Sequence, residues 1–588
     1  MLSSTRVKNL NETDPLEAAA GLPRNVEITK LKNGLTVVTD RMEHLESAAL
    51  GVWVKAGSRD ERTTEHGIAH LLEHMAFNGS ENVPEGEMVK SLERLGLSFG
   101  ADTNASTSFS RTQYMLNLPD VGDETVDYAL FLMRETADKL LIEQAAVDRE
   151  RGVVKAEEAR GNTPGRKAQR AFSEFMYPGM LSTKRPVIGL PETLDTINAA
   201  QLRKFYDTYY RPERALLVMT GDMDTRLMQQ KIETVFGDWE NNNPDPGTPD
   251  LGRVKPREMD VSIYDDDELT TRVSFMDARE STYTGDNFNA RRKNFVRSYA
   301  NAIVNQRIRK QLLDTGADVR AANISYSSSE LGDQLSAYAA AKDDNWRAAI
   351  ELLDIEIRKA LMYGFQQSEY DELLSNTRRS LTDSANYAAK RKSSSLASGI
   401  IGNFSRSYVR TTPAKQLEYF ENHAATITKE DLEKSFQAMW TDFSPAIWLV
   451  GPKLEGVPRD QVIESYKDAL LRTPGRPEIR QKRVFAYQDF GKPGKIMSET
   501  HIEDFDIDQI VFSNNVKLNL KKTDFEDKWI NMRITVGEGW NAFPKDNPAL
   551  LTLANAFPLG GYEAHKASEL SEIFAAFVVL PVLTGEFK

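Results

Sequence analysis

The chain has 588 residues, a net charge of −13, 27% charged and 40% apolar side chains, and no cysteine. The absence of thiols excludes disulfides, thiolate metal ligands and a cysteine nucleophile, so a metal centre must be built from His, Asp and Glu. The acidic balance argues against a nucleic-acid surface, which needs clustered Lys and Arg, and no run of about 18 uncharged apolar residues is present to cross a bilayer.

At roughly 150 residues per domain the length corresponds to about four domains. Residues 1–25 form a polar leader without the apolar core of a signal peptide, which makes the chain cytoplasmic as written, or periplasmic if a signal was removed. The next block, 26–240, opens with LKNGLTVVTDRMEHLESAALGVWVKAGS (31–58), an alternating strand, an Asn-Gly turn and a second strand.

HGIAHLLEHMAFNGS (66–80) then places three of the seven histidines within nine positions. Thr63 or Thr64 can cap a helix here, with Ile68, Leu71, Leu72 and Met75 as its apolar face. At about 100° per residue, His70 and His74 lie one turn apart on one side with Glu73 beside both. Two imidazoles at this spacing hold one metal ion and leave the carboxylate for a water, the helical His pair plus Glu of zinc hydrolases in inverted order, His-x-x-Glu-His. His66, at the helix start, reads better as a local hydrogen-bonder than as a ligand.

Without cysteine the third ligand must come from another element. EQAAVDRERGVVKAEEARG (143–161) predicts a helix on which Val147, Glu150, Val154 and Glu157 share one stripe. Two carboxylates on an apolar stripe are unfavourable unless something positive meets them. A Zn²⁺ ion resolves this for Glu157, and a hydrogen bond to a ligating imidazole occupies Glu150.

ALLVMTGDMD followed by TRLMQQKIETVFGDW closes the block as an apolar strand and an amphipathic helix. A Pro- and Gly-rich segment, 241–258, reads as a linker. The second block, 259–470, carries helical patterns at 295–314 and 345–365 and closes in the same manner, with AIWLVGPKL and then RDQVIESYKDAL. The strands end at Gly221 and Gly451, so 451 minus 221 gives a period of 230. A further linker, 471–500, precedes a third block, 501–588, that restarts the first. There FSNNVKLNLKKTDFEDKWINMRITVGEG echoes the opening strands, and Ala556 and Phe557 fall on Ala76 and Phe77 at an offset of 480. In that register Leu550, Leu553 and Ala554 replace His70, Glu73 and His74. The whole describes α+β domains, each a mixed, mostly antiparallel sheet packed on helices in two layers.

HGIAHLLEHMAFNGS, GADTNASTSFSRTQY (100–114), ERGVVKAEEARGN (150–162) and YYRPERALLVMTGD (209–222) together resemble the pitrilysin/insulinase family of zinc metallopeptidases, including mitochondrial-type processing peptidases. The resemblance implies repeated α+β domains paired as half of a clamshell, one Zn²⁺ ion held by His70, His74 and Glu157, Glu73 as general base and Glu150 as the carboxylate behind a ligand. It also implies that Asn104, Ala105 and Ser106 lie on an edge strand along which a peptide substrate adds, a mode that supplies affinity without reading side chains. A complementary second half or homologous subunit is implied as partner; neither nucleic acid nor membrane is. Residues 501–588 are about 90 residues of a third domain, so the chain is expected to be a fragment, a natural truncation or a subunit needing a partner. The rival expectation is a non-catalytic or partner-dependent peptide-binding subunit.

Overall fold

The computed structural model describes residues 5–6, 26–43, 47–98, 100–256, 258–315, 318–478, 484–523 and 560–573, with isolated positions between 530 and 550. Two compact units divide the chain, Met1–Leu312 with Ala317–Ile479, and Leu313–Gly316 with Arg480–Lys588.

The first unit is built on two sheets. In the first sheet the strands are β1 (Thr5–Arg6), β2 (Val26–Lys30), β3 (Thr36–Arg41), β4 (Ala48–Val54), β5 (Thr103–Thr107), β6 (Thr112–Leu118) and β7 (Ala215–Gly221). They pair in the order β1-β2-β3-β7-β4-β6-β5. Asn33 and Gly34 make the turn between β2 and β3; Gly34 has φ +97°, and the Asn33 amide donates to the carbonyls of Phe236 at 2.7 Å and Trp239 at 3.0 Å. The second sheet has β8 (Asp260–Asp265), β9 (Arg272–Arg279), β10 (Val319–Ser329), β11 (Gly332–Ala341) and β12 (Ala446–Gly451), ordered β10-β11-β9-β12-β8. The 230-residue period is visible as topology. β7 runs parallel to β3 and antiparallel to β4, as β12 runs parallel to β8 and antiparallel to β9. In both sheets the last strand of the block inserts between the first two strands it meets.

Helices cover these sheets: α1 (Ile68–Met75), α2 (Glu87–Arg94), α3 (Asp123–Asp138), α4 (Gln144–Gly161), α5 (Pro164–Met176), α6 (Ala199–Tyr209), α7 (Thr225–Phe236), α8 (Phe288–Thr315), α9 (Trp346–Tyr363), α10 (Gln367–Asn386), α11 (Ser393–Ser405) and α12 (Arg459–Leu471). β4 and β7 are buried at every position. Leu50, Val52, Leu217 and Met219 face the main core with α1 and α3, whereas Ala49, Trp53, Leu216 and Val218 face the opposite side. That side is closed by α11 from the second block, through Leu396, Ala397, Ile400 and Ile401. The second sheet is treated alike: Ile447 and Leu449 of β12 face its own helices, and Trp448 faces α5 of the first block. The Trp448 ring lies 5.8 Å from that of Phe172 and 6.1 Å from that of Phe175. Each block therefore lends a helix to the other, a third layer beyond the two expected from sequence. Gly51 sits at the point of close approach: a Cβ there would lie 2.5 Å from Met115 Sδ and 3.0 Å from Ile401 Cδ1, so the ends of those two side chains would have to shift.

The expected linker at 241–258 has no regular structure in its described residues but is tied down: Arg214 Nε donates to Asp245 at 2.9 Å, and the N–H of Val254 to the Leu331 carbonyl at 2.8 Å. In the second unit β13 (Ile496–Ile502), β14 (Ile507–Phe512) and β15 (Lys517–Leu520) form an antiparallel sheet, with Asn515 at φ +65° in the expected Asn-Asn turn. Leu553 and Ala554, the expected replacements of Glu73 and His74, lie outside the described residues.

The loop leaving α1 hangs on a buried carboxylate. Glu135, 1% exposed, accepts from Ser80 Oγ at 2.7 Å, Asn82 N at 2.9 Å and Asn82 Nδ2 at 2.8 Å. Burial raises its pKa, but the hydrogen bonds from Asn82 and Ser80 outweigh burial and the net shift is downward. The folded value lies below the unfolded one near 4.5, so this stabilisation is present above that pH and is lost as pH falls through the folded value. Glu135→Ala is expected to lower stability at neutral pH by about 2 kcal/mol, because it strands buried donors. In thermal unfolding followed from about pH 7 down to about pH 3, the gap between variant and wild type should close as the carboxyl protonates.

Candidate metal centre

The helix that carries the histidines starts later than its sequence suggests. Thr63 and Thr64 are exposed in a preceding turn, and the cap position is Gly67, φ +96°, with no side-chain cap of its own. Glu61 supplies the cap from outside the helix: its Oε1 accepts from Gly67 N at 3.1 Å and Ala69 N at 3.2 Å. Gly67 is obligatory here, since a Cβ would lie 2.8 Å from the Gly189 Cα. Burial pushes the Glu61 carboxyl well above its usual range, against the pull of the two backbone donors.

Ile68, Leu71, Leu72 and Met75 are fully buried and fix the rotation of α1. His70, Glu73 and His74 are left on the side toward α4 and β5. Helix α4 is registered by Val147 and Val154, both 0% exposed. Each places the acid three residues later, Glu150 or Glu157, over α1. Lys155 to Asp195 at 2.6 Å and Arg151 Nη2 to the Ile197 carbonyl at 2.6 Å hold the outer side of α4.

His70 Nε2 and His74 Nε2 lie 3.8 and 3.7 Å from Glu157 Oε2, and the ring centroids are 4.9 Å apart. Among the described residues this is the one group of three or more His, Asp or Glu whose candidate donor atoms all lie within 4.8 Å of one another. Ligand atoms about 2.1 Å from a tetrahedral ion are about 3.4 Å apart, so the trio fits one zinc ion with little adjustment. His74 Nδ1 bonds Glu150 Oε2 at 3.0 Å, which places the proton on Nδ1 and turns the Nε2 lone pair toward Glu157. His70 Nδ1 is buried and has no partner among the described residues.

Burial, the neighbouring His74 and Arg166 push the His70 pKa down to about 4, keeping the imidazole neutral as ligation requires. Burial also lowers that of His74, but the Glu150 hydrogen bond and the surrounding carboxylates reverse the sign. Glu73 is raised by burial, partly offset by a hydrogen bond from Thr107. Glu157 is the open side of the cluster, with its side chain 48% exposed.

The sequence-predicted residues thus come together: His70, Glu73, His74, Glu150 and Glu157 meet where α1 crosses α4. Asn104, Ala105 and Ser106 lie on β5, the last strand of the first sheet, which among the described residues pairs with β6 alone. His66 is elsewhere, its Nε2 at 2.5 Å from Arg185 Nη1. Sequence reasoning missed Glu61, the contact of Thr107 with Glu73, and Asn78, whose amide holds the His74 carbonyl at 3.0 Å. No spacing rule connects Glu61 to α1, because the link runs through a non-helical turn.

Fold and site together define an α+β protein with a two-histidine, one-carboxylate centre beside a sheet edge. Residues 36–171 match the insulinase (peptidase family M16) family, and residues 196–377 the peptidase M16 inactive domain. The chain belongs to the insulinase/pitrilysin family. It is 24% identical over 573 residues to the probable zinc protease PqqL of Escherichia coli K12, covering 91% of this chain and 58% of that protein. With the zinc protease PqqE of Helicobacter pylori the identity is 31% over 229 residues, 38% of this chain and 50% of the relative. The fold is shared with the crystal structure of the periplasmic protease PqqL from E. coli, at a TM-score of 0.72 and 20% identity over 94% of this chain and 62% of that one. The structure of the first half of that protease matches with a TM-score of 0.71 and 21% identity, over 78% of this chain and all of that one. The chain therefore spans little more than half of the E. coli relative.

Because Glu61 satisfies two helix N–H groups inside the core, Glu61→Ala should lower stability by about 1–2 kcal/mol. Thermal unfolding of metal-free protein should show the loss, and Glu61→Gln, which keeps the acceptor, should recover most of it.

Proposed function

We propose that the chain is the metal-binding part of a zinc endopeptidase that hydrolyses peptides or extended segments of unfolded polypeptide. The observation that carries this reading is the convergence of His70 Nε2, His74 Nε2 and Glu157 Oε2 beside Glu73. His70, His74 and Glu157 hold one zinc ion, and Glu150 fixes the tautomer and orientation of His74. When bound, zinc supplies a Lewis acid that acidifies water and polarises the scissile carbonyl. Glu73 takes the proton of the attacking water and returns it to the leaving amine, a role suited to a buried carboxylate with a raised pKa. The open edge of β5, at Asn104, Ala105 and Ser106, pairs with the substrate backbone as an added strand.

A second reading, a partner-dependent peptide-binding subunit, is favoured by one observation, the half-exposed Glu157. In it a complementary half or homologous subunit covers the cluster and excludes water.

Purified protein should contain about one zinc ion per chain by elemental analysis, and His70→Ala, His74→Ala and Glu157→Gln should each lose it. Zinc content unchanged in all three would refute the ligand assignment. Glu73→Gln should keep the metal while losing peptide hydrolysis by roughly 10²- to 10⁴-fold. Wild-type turnover in Glu73→Gln would refute the base. If the wild type binds zinc and an extended peptide yet cleaves only after a complementary half is added, the second reading holds.

A further inference from the structure

Glu73 is buried and is held at one carboxylate oxygen. Thr107 Oγ1 donates to Glu73 Oε2 at 2.6 Å, and the Thr107 backbone N–H is directed at the same carboxylate. The hydroxyl cannot easily turn elsewhere. The other acceptor within its reach, Thr112 Oγ1, is neutral and farther away at 3.4 Å, so the charged carboxylate at 2.6 Å is the preferred partner. Thr107 is the last residue of β5 and pairs with Thr112 across β6. The strand whose outer edge carries Asn104, Ala105 and Ser106 therefore ends on the carboxylate of Glu73. Among the described residues Thr107 is the one hydrogen-bond donor to that side chain.

We propose that Thr107 is a positioning residue: it pins Glu73 Oε2, leaves Oε1 as the oxygen that accepts the proton, and ties the base to the end of the strand on which the peptide backbone docks. The inference rests on the peptidase reading above. In its absence Glu73 could swing between rotamers, and the proton-accepting oxygen would be misplaced in most of them. Binding of the peptide, which uses the outer edge of β5, and binding of the metal, which uses α1 and α4, do not involve the Thr107 hydroxyl.

Two measurements test this. On zinc-loaded protein with a quenched fluorescent peptide, Thr107→Val should lower kcat roughly 10- to 100-fold while KM stays within about threefold and zinc content is unchanged, and Thr107→Ser should restore most of the rate. In thermal unfolding of metal-free protein, Thr107→Val and Glu73→Ala should be non-additive, because each removes the same contact. Wild-type kcat in Thr107→Val, or a rate loss that Thr107→Ser does not recover, would overturn the positioning role, and additive unfolding would overturn the contact. A wild-type protein that shows the non-additive cycle but no zinc-dependent turnover, either alone or with a complementary half added, would overturn the peptidase reading and, with it, the role assigned to Thr107.

Discussion

The constraint on which the first unit depends is that β4, β7 and β12 are apolar on both faces. A strand of this kind is stable only when both faces are covered. Neither block has a helix to spare for its own second face, so each takes one from the other, α11 for the first sheet and α5 for the second. The exchange does more than bury surface. α5 follows α4 after only Asn162 and Thr163, with Thr163 Oγ1 accepting from Arg166 N at 3.3 Å to start the new helix. Packing of Phe172 and Phe175 on Trp448 thus anchors the far end of the helix that presents Glu150 and Glu157. The second sheet carries no residue of the centre, yet it helps set where the centre's carboxylates stand.

Within the site, position and charge are coupled through hydrogen bonds that cross between elements. Glu61 reaches α1 from the preceding turn, Glu150 reaches it from α4, and Thr107 from β5. Glu135 secures the loop by which the chain leaves α1. Three carboxylates, Glu61, Glu135 and Glu150, flank one eight-residue helix, and each is fixed by donors rather than left to mutual repulsion. The result is a helix held at its start, its middle and its exit, so that two imidazoles one turn apart keep a common focus. Glu157 is the exception: more exposed than the rest, it forms the side of the cluster still open to solvent.

Much of this was legible in the sequence because helix and strand periodicities are local. The i, i+4 spacing of His70 and His74 fixes a shared face in any α-helix, and the seven-residue spacing of Glu150 and Glu157, two turns, does the same. The valines at 147 and 154 named the buried stripe that carries those acids. The unbroken apolar runs ALLVMTG and AIWLVG marked strands that close each block, and their common position in the 230-residue period marked a repeat; that both insert between strands of their own sheets is a property of the topology. The start of α1 was misread, because a Thr just upstream is the usual local cap, whereas the actual cap is a buried acid brought back by a turn around Gly67.

The sequence by itself determined which residues could form the centre: a helical His pair with an acid between, and a second helix bearing two acids on an apolar stripe. These follow from repeat distances within single elements, which neighbours cannot alter. Only the tertiary structure decided that the two helices cross so that Glu157 meets both imidazoles, that Glu61 and Thr107 are parts of the same assembly, and that helices 164–176 and 393–405 serve the sheet of the other block. Those outcomes depend on which apolar faces find one another across long stretches of chain, and burial has no directional signature in sequence: an apolar stripe records that it must be covered, not by what.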